Sequence, residues 1–176
     1  MPLTAYITIS PGKRKRRCHS LIANFIGFLR IGASQAAGTI VDNDGVPYSQ
    51  VPASSLYRMN GGIGDEIAGI TLGTGVTPVD IEDFKLETPI THGSSAGQLF
   101  YGGSNIGAPV RSGASYYFPI TRTFTNNTAS SITVNEVGLR TWLTAHYPMI
   151  FREIIPPTTW TPGQARTVVI TFLITP

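Results

Sequence analysis

The clearest pattern of apolar and polar positions lies in the second half of the chain. Tyr116, Phe118, Ile120 and Phe124 fall on alternate positions, with Arg122 as the one polar member, while Tyr117, Pro119, Thr121, Thr123 and Thr125 fill the other phase. A period of two with one apolar face predicts a strand covered on one side. Pro119 cannot donate to a ladder and predicts an edge or a bulge there. Asn126-Asn127-Thr128-Ala129-Ser130 predicts the following turn. Ile132 to Leu143 runs back as a strand with Gly138 as a bulge, and Met149 to Ile155 is a further strand ended by Pro156-Pro157. Thr161-Pro162-Gly163-Gln164 turns the chain into Thr167 to Ile174, where Val168, Ile170, Phe172 and Ile174 alternate with Val169, Thr171 and Leu173.

The first half changes period. Tyr6 to Ile9 predicts a short strand, and Pro11-Gly12 a turn. Ser20 is placed to cap a helix whose apolar stripe is Leu21, Ile22, Phe25, Phe28 and Leu29, with Gly32 ending it. From residue 39 the signals are β. Asp44-Gly45 and Asn60-Gly61 are turn dipeptides, Ile67 to Leu72 and Gln98 to Tyr101 are short strands, and Pro78 to Glu87 is a loop or one helical turn. Many short strands between turns predict an all-β chain, an antiparallel β-sandwich or jelly roll with an N-terminal arm and one short amphipathic helix. The expected division is a basic arm and helix at 1–38 and a sandwich domain at 39–176.

Composition sharpens this picture. Charged residues make up only 13% of the 176 positions, about half the usual share. Such a surface keeps a free monomer poorly soluble and suits a subunit covered by neighbours. The net charge of +3 is local in origin. Lys13, Arg14, Lys15, Arg16 and Arg17 form one run, and without them eight basic residues face ten acidic ones. A single cysteine, Cys18, excludes an intrachain disulfide and a multi-thiolate metal site. The stretch Leu21 to Ile31 is too short and too interrupted to span a bilayer. With Ala33-Ser34-Gln35-Ala36-Ala37 it imitates a signal peptide, but the basic run starts twelve residues in.

Candidate chemistry is sparse. His92 beside Gly93-Ser94-Ser95 reads as an exposed histidine in a small loop, and His19 and His146 have no partner at a recognised spacing. Asp80, Glu82 and Asp83 lack the glycine turn of a calcium loop. Gly61-Gly62-Ile63-Gly64-Asp65-Glu66 occurs once and misses both the calcium nonapeptide and the dinucleotide spacing. Asn126-Asn127-Thr128 is a formal glycosylation sequon. No set of groups converges in sequence, so neither catalysis nor a cofactor is expected.

Two blocks carry a resemblance. One runs Leu72-Gly73-Thr74-Gly75-Val76-Thr77-Pro78 through Asp80-Ile81-Glu82-Asp83-Phe84-Lys85-Leu86-Glu87-Thr88-Pro89-Ile90. The other is Ile120-Thr121-Arg122-Thr123-Phe124-Thr125-Asn126-Asn127-Thr128, continued by Ile132-Thr133-Val134-Asn135-Glu136-Val137-Gly138-Leu139. With the Pro162-Gly163-Gln164 turn and the last strand, residues 67–175 resemble small structural proteins of tailed bacteriophages and related environmental viruses. The chain departs from that pattern at Phe84, where a tyrosine is usual, and at Arg140-Thr141-Trp142, where apolar or aromatic residues are usual.

The resemblance implies a β-sandwich component of a virus particle, located in the virion as part of head, neck or tail. The expected partners are copies of itself and other virion proteins. Tyr6, Ile7, Ile9, Leu21, Ile22, Phe25, Phe28 and Leu29 are the expected subunit-interface residues, with Tyr6 to Ile9 adding to a neighbour's sheet. A chain lacking residues 1–31 is then expected to fold but to assemble poorly. Lys13 to Arg17 either contacts packaged nucleic acid, as in a coat protein, or docks on an acidic neighbour. A membrane role is disfavoured, because Arg30 is the only cation of the helix. A third reading is a carbohydrate-binding or adhesive module with Trp142, Trp160, Tyr116 and Tyr117 as stacking platforms.

Overall fold

The structure, a computed structural model, describes residues 3–10, 16–18, 22–25, 38–50, 58–143 and 146–174. It is nearly all β, with antiparallel sheets. The strands are β1 (Leu3–Ser10), β2 (Arg16–Cys18), β3 (Gly38–Val41), β4 (Pro47–Gln50), β5 (Gly69–Gly73), β6 (Phe100–Ile106), β7 (Val110–Ser112), β8 (Ser115–Thr125), β9 (Ile132–Arg140), β10 (Met149–Trp160) and β11 (Ala165–Ile174). Six of them form one sheet in the order β2-β1-β11-β8-β6, with β7 also pairing β8. A second sheet has the order β10-β9-β5, and β3 and β4 make a separate hairpin.

One hydrophobic core draws on both larger sheets. Ile120 and Phe124 of β8 and Val168, Ile170 and Phe172 of β11 share it with Leu72 of β5, Val137 and Leu139 of β9, and Phe151 and Trp160 of β10. The predicted alternation along β11 is the one observed, because Val168, Ile170 and Phe172 turn inward while Val169, Thr171 and Leu173 stay partly exposed.

The first strand corrects the picture of a separate arm. All eight residues of β1 pair with β11 of the same chain, from Leu3 opposite Ile174 to Ser10 opposite Thr167. Ala5 and Ile7 lie in the core. Sheet pairing for Tyr6 to Ile9 is therefore found within the chain, because β11 presents a full-length edge and a place for Ala5 and Ile7 beneath it. Of the predicted helix, residues 23–25 form a helical turn and the remainder lies outside the described residues. Phe25 stacks on Phe172 with centroids 6.3 Å apart, and Asn24 ties β3 to β10 through Nδ2 bonds to the carbonyls of Val41 (2.7 Å) and Met149 (3.1 Å).

Three local expectations are also corrected. Pro119 is not among them, because it faces a bulge-like irregularity where residues 107–109 stand opposite 118–119. Its carbonyl accepts from Gly107 N–H at 2.8 Å, so its nitrogen faces the gap between β6 and β7, where no ladder donor is needed. Gly138 sits in regular register opposite Arg152 and Thr71, and a Cβ there would meet Leu86 Cδ2 at 2.9 Å. β10 carries the irregularities instead, between Met149 and Phe151 and between Ile154 and Thr158, and at the second Pro156-Pro157 interrupts the ladder without ending the strand. Asn60-Gly61 precedes the turn, which is Gly62 to Asp65 with Gly64 at φ 76°.

Candidate assembly surface

Buried polar groups fix the loops that frame the surface. Arg122 is 1% exposed on the inner face of β8. Its guanidinium donates only to main-chain carbonyls: Nε to Gly102 (2.8 Å), Nη1 to Ala68 (3.3 Å) and Ile70 (3.0 Å), and Nη2 to Gly62 (2.9 Å) and Asp65 (2.6 Å). It also lies over the ring of Tyr101, 4.8 Å from the centroid. Burial pushes its pKa below the ordinary value, but with every direction of the fork satisfied it stays a cation. The segment 62–70 is thereby tied to β6 and β8. Beside it Tyr101 is buried, donates to Ile90 O at 2.5 Å, and has its hydroxyl pushed up to about 12 by burial.

A second fastening joins the two sequence blocks that carry the resemblance. Glu136 of β9 is fully buried on the outer face of its sheet. Its Oε1 accepts from the N–H groups of Gly75 (3.1 Å) and Thr88 (2.9 Å), and its Oε2 from Glu87 N–H (3.1 Å) and Arg152 Nε (3.0 Å). Arg152 continues to Asp83 Oδ2 at 2.7 Å and Thr77 O at 3.1 Å. Burial alone would lower the pKa of Arg152, but its bonds to Asp83 and Glu136 outweigh burial and hold it above the ordinary value. The glycine at 75 has a steric reason, since a Cβ there would stand 2.6 Å from Glu136 Oε1. Ile22, Leu86 and Met149, joined by Val79, form a small second core alongside.

The turn after β8 is latched by Asn126, which is fully buried. Its Nδ2 donates to the carbonyls of Ser130 and Trp160, both at 2.8 Å, and its Oδ1 accepts from Thr128 N–H (3.0 Å) and Thr128 Oγ1 (2.8 Å). All four bonding sites of the amide are used, so the formal sequon offers no acceptor nitrogen in the folded chain.

The remaining candidates are placed as follows. Lys13, Arg14, Lys15, Leu21, Phe28 and Leu29 lie outside the described residues, as does His19. Arg16 and Arg17 belong to the edge strand β2, opposite Ile7 and Tyr6. Ile7, Ile22 and Phe25 are buried within the chain, and Ile9 packs against the core, because each finds an apolar partner in its own fold. His92 is not a free loop side chain. Its Nδ1 accepts from Tyr101 N–H at 3.0 Å and its ring lies 5.1 Å from that of Phe100. Asp80 and Asp83 cap one turn, through Glu82 N–H on Asp80 (2.9 Å) and Asp80 N–H on Asp83 (2.8 Å). Among the described residues no three His, Cys, Asp or Glu side chains are grouped to hold a metal ion, and no helix is long and apolar enough to cross a membrane. Trp160 is completely buried and Arg58 covers the ring of Trp142 at 4.0 Å, so the two tryptophans are not open platforms.

What sequence reasoning missed is where the inner face stops being covered. The alternation of apolar positions puts Tyr116 on the covered face of its strand. It continues the face of Phe118 and Ile120, directly opposite Ile174, yet the two are 53% and 42% exposed. Phe118 and Phe172, stacked 5.3 Å apart, mark the edge of the covered region. Val110, also exposed, pairs with β8 next to Tyr116. A shallow groove along β10, lined by Val76, Pro78, Val79, Glu153, Ile154, Ile155 and Pro156, is of mixed polarity.

Acid lability is expected at two carboxylates, the exposed Glu87 and the half-buried Asp42. Glu87 accepts from Thr77 Oγ1 and from the N–H groups of Thr77 and Val76, which hold its carboxyl below the ordinary value of 4.5. For Asp42, burial would raise the value, but bonds from Val46 and Asp44 N–H and the nearby His146 outweigh it and hold it below 3.8. Both folded values lie under the unfolded ones. Their stabilisation is therefore complete above roughly pH 5 and is lost as pH falls through the folded values. Asp42→Asn should flatten part of the acid limb in a plot of thermal midpoint against pH; an unchanged limb would remove Asp42 from this account.

Comparison of the chain with models of protein families, with curated proteins and with solved structures found no match.

Proposed function

We propose that this chain is a non-catalytic virion structural subunit, a β-sandwich that assembles with copies of itself or with other virion proteins. The observation that carries the reading is the uncovered end of the six-stranded sheet. There Tyr116 and Ile174 stand exposed side by side beyond the stacked Phe118 and Phe172. Exposed apolar pairs at the end of a packed face mark contact sites more often than scattered single residues do. The low charge of the whole chain points the same way. So do loops tied down by Glu136, Arg152 and Arg122, since a lattice subunit has to present a fixed shape.

Light scattering of the full chain at low and high salt tests this. A discrete ring or particle is expected, and Tyr116→Glu with Ile174→Glu should reduce it to smaller species while the thermal midpoint stays within a few degrees. A full chain that stays monomeric at both salts would overturn self-assembly, and an unchanged particle in the double variant would overturn this surface. A genome-contacting coat role is the second reading. It is favoured by the position of Arg16 and Arg17 on β2, the last strand of its sheet. Alanine at all five positions 13–17 should then abolish nucleic-acid retention and leave the fold intact.

A further inference from the structure

Among the described residues Arg122 and Arg152 are buried and fully partnered, while Arg140 is half-buried and less completely bonded. Arg122 has five carbonyl contacts, and Arg152 has two carboxylates and a carbonyl. Arg140 donates Nη1 to Glu66 O at 2.7 Å and Nε to Tyr147 O at 3.3 Å. Among the described residues no carboxylate lies within ion-pair distance of it, and its Nη2 has no partner. Burial lowers its pKa, with Asp65, Glu66 and Asp44 acting only as more distant counter-charges. An anion within reach of Nη2 would add a charge-assisted hydrogen bond to this half-buried cation.

Arg140 borders a half-enclosed cavity of about 170 Å³. Thr71 lines the same cavity, is 5% exposed, and its Oγ1 has no hydrogen-bond partner. Lys85 and Asn43 complete the polar wall. The Glu66 carboxylate is there too, but it is engaged by the main-chain N–H of His92. Two cations against one anion leave the lining at +1. The other wall is apolar, formed by Leu86, Pro89, Ile90 and Met149.

We propose that this cavity binds a small monocarboxylate with a short aliphatic tail. The carboxylate sits between Arg140 Nη2, Lys85 and the Thr71 hydroxyl, and the tail lies on Leu86, Ile90 and Met149. The volume admits a few carbons and excludes larger ligands. An unpaired buried hydroxyl and an incompletely satisfied guanidinium both gain a partner by the same event.

The probe is butyrate, titrated into the full chain and followed by NMR shifts of residues 66, 71 and 140, with butylamine and butanol as controls. Saturable binding in the millimolar range is expected for butyrate alone. Thr71→Val should weaken it by about tenfold, the loss of one good hydrogen bond, while the thermal midpoint stays equal or rises, because an unpartnered hydroxyl has been removed. Lys85→Gln should weaken it less. Arg140→Lys should abolish it, and Thr71→Val guards that result against loss of fold. No saturable shift with butyrate, equal binding of butanol, or unchanged affinity in Thr71→Val would each overturn the proposal. So would a butyrate-soaked crystal showing water alone in the cavity.

Discussion

Removing residues 1–10 is expected to leave a chain that does not fold cooperatively. Among the described residues β1 is the partner of β11 on one side, along eight consecutive residues. It also carries β2, which among the described residues pairs with no other strand. Its loss uncovers the edge beside Val168, Ile170 and Phe172 and takes Ala5 and Ile7 out of the core. Burial of an isoleucine side chain alone is worth about 1.5–3 kcal/mol. Adding Ala5, the lost ladder and the newly exposed apolar edge brings the loss to roughly 5 kcal/mol or more, the lower end of a domain's whole margin. Circular dichroism of the truncated chain should show no cooperative melt, and the exposed edge should make the product aggregate. A truncated chain melting within a few degrees of the full one would show that β1 does not close the sheet of its own chain, and would favour exchange of this strand between subunits. The expectation that a chain lacking residues 1–31 folds normally is reversed on the same ground.

Glu136→Leu is expected to cost about 3–5 kcal/mol, the range for removing one partner of a buried ion pair. It leaves the Arg152 guanidinium, which is 2% exposed, with Asp83 and the more distant Glu87 (3.9 Å), and it leaves the N–H groups of Gly75, Glu87 and Thr88 without their acceptor. Many buried ion pairs can be replaced by apolar residues at no net cost once both partners are exchanged. Here Glu136→Leu with Arg152→Met should recover only part of the loss, because the three main-chain donors still have no partner. Urea denaturation of the two single variants and the double variant reads this directly. Full recovery in the double variant would mean that the N–H groups find other acceptors and that the carboxylate is there for Arg152 alone. The segment 74–88 should also become protease-sensitive in Glu136→Leu, since Glu136 supplies three of its bonds to β9, beside the one from Asn135 to Thr74 O.

The strands of the second half were legible because their alternation is local. Val168, Ile170 and Phe172 announce an inward face whatever covers them. What covers them was not legible. Pairing of residues 3–10 with 167–174 joins the two ends of the chain, and nothing in Tyr6 to Ile9 indicates whether its partner is near, far or in another molecule. Arg122 broke the apolar phase of β8 and read as an exception, yet it keeps the phase and is buried. Its five acceptors come from positions 62, 65, 68, 70 and 102, which only the fold brings together. Tyr116 shows the opposite limit. Period two gives the face of a residue, but where the opposing sheet ends is a tertiary fact. Glycine at 138 looked like a bulge because a glycine inside a strand has two common causes, and here close packing against Leu86 is the operative one.

The latch at Asn126 bears on how this protein can be produced. In the secretory route of a eukaryotic cell, Asn126-Asn127-Thr128 meets the glycosylation machinery while the chain is still unfolded. A sugar attached there would take Nδ2 away from the carbonyls of Ser130 and Trp160 and would have to be accommodated at a site with no exposed surface. The modified chain would be unable to close the turn between β8 and β9, and export would select against molecules that received the glycan. Bacterial or cytosolic expression leaves the amide free to form its four bonds, so the same gene would give folded material by one route and retained, misfolded material by the other.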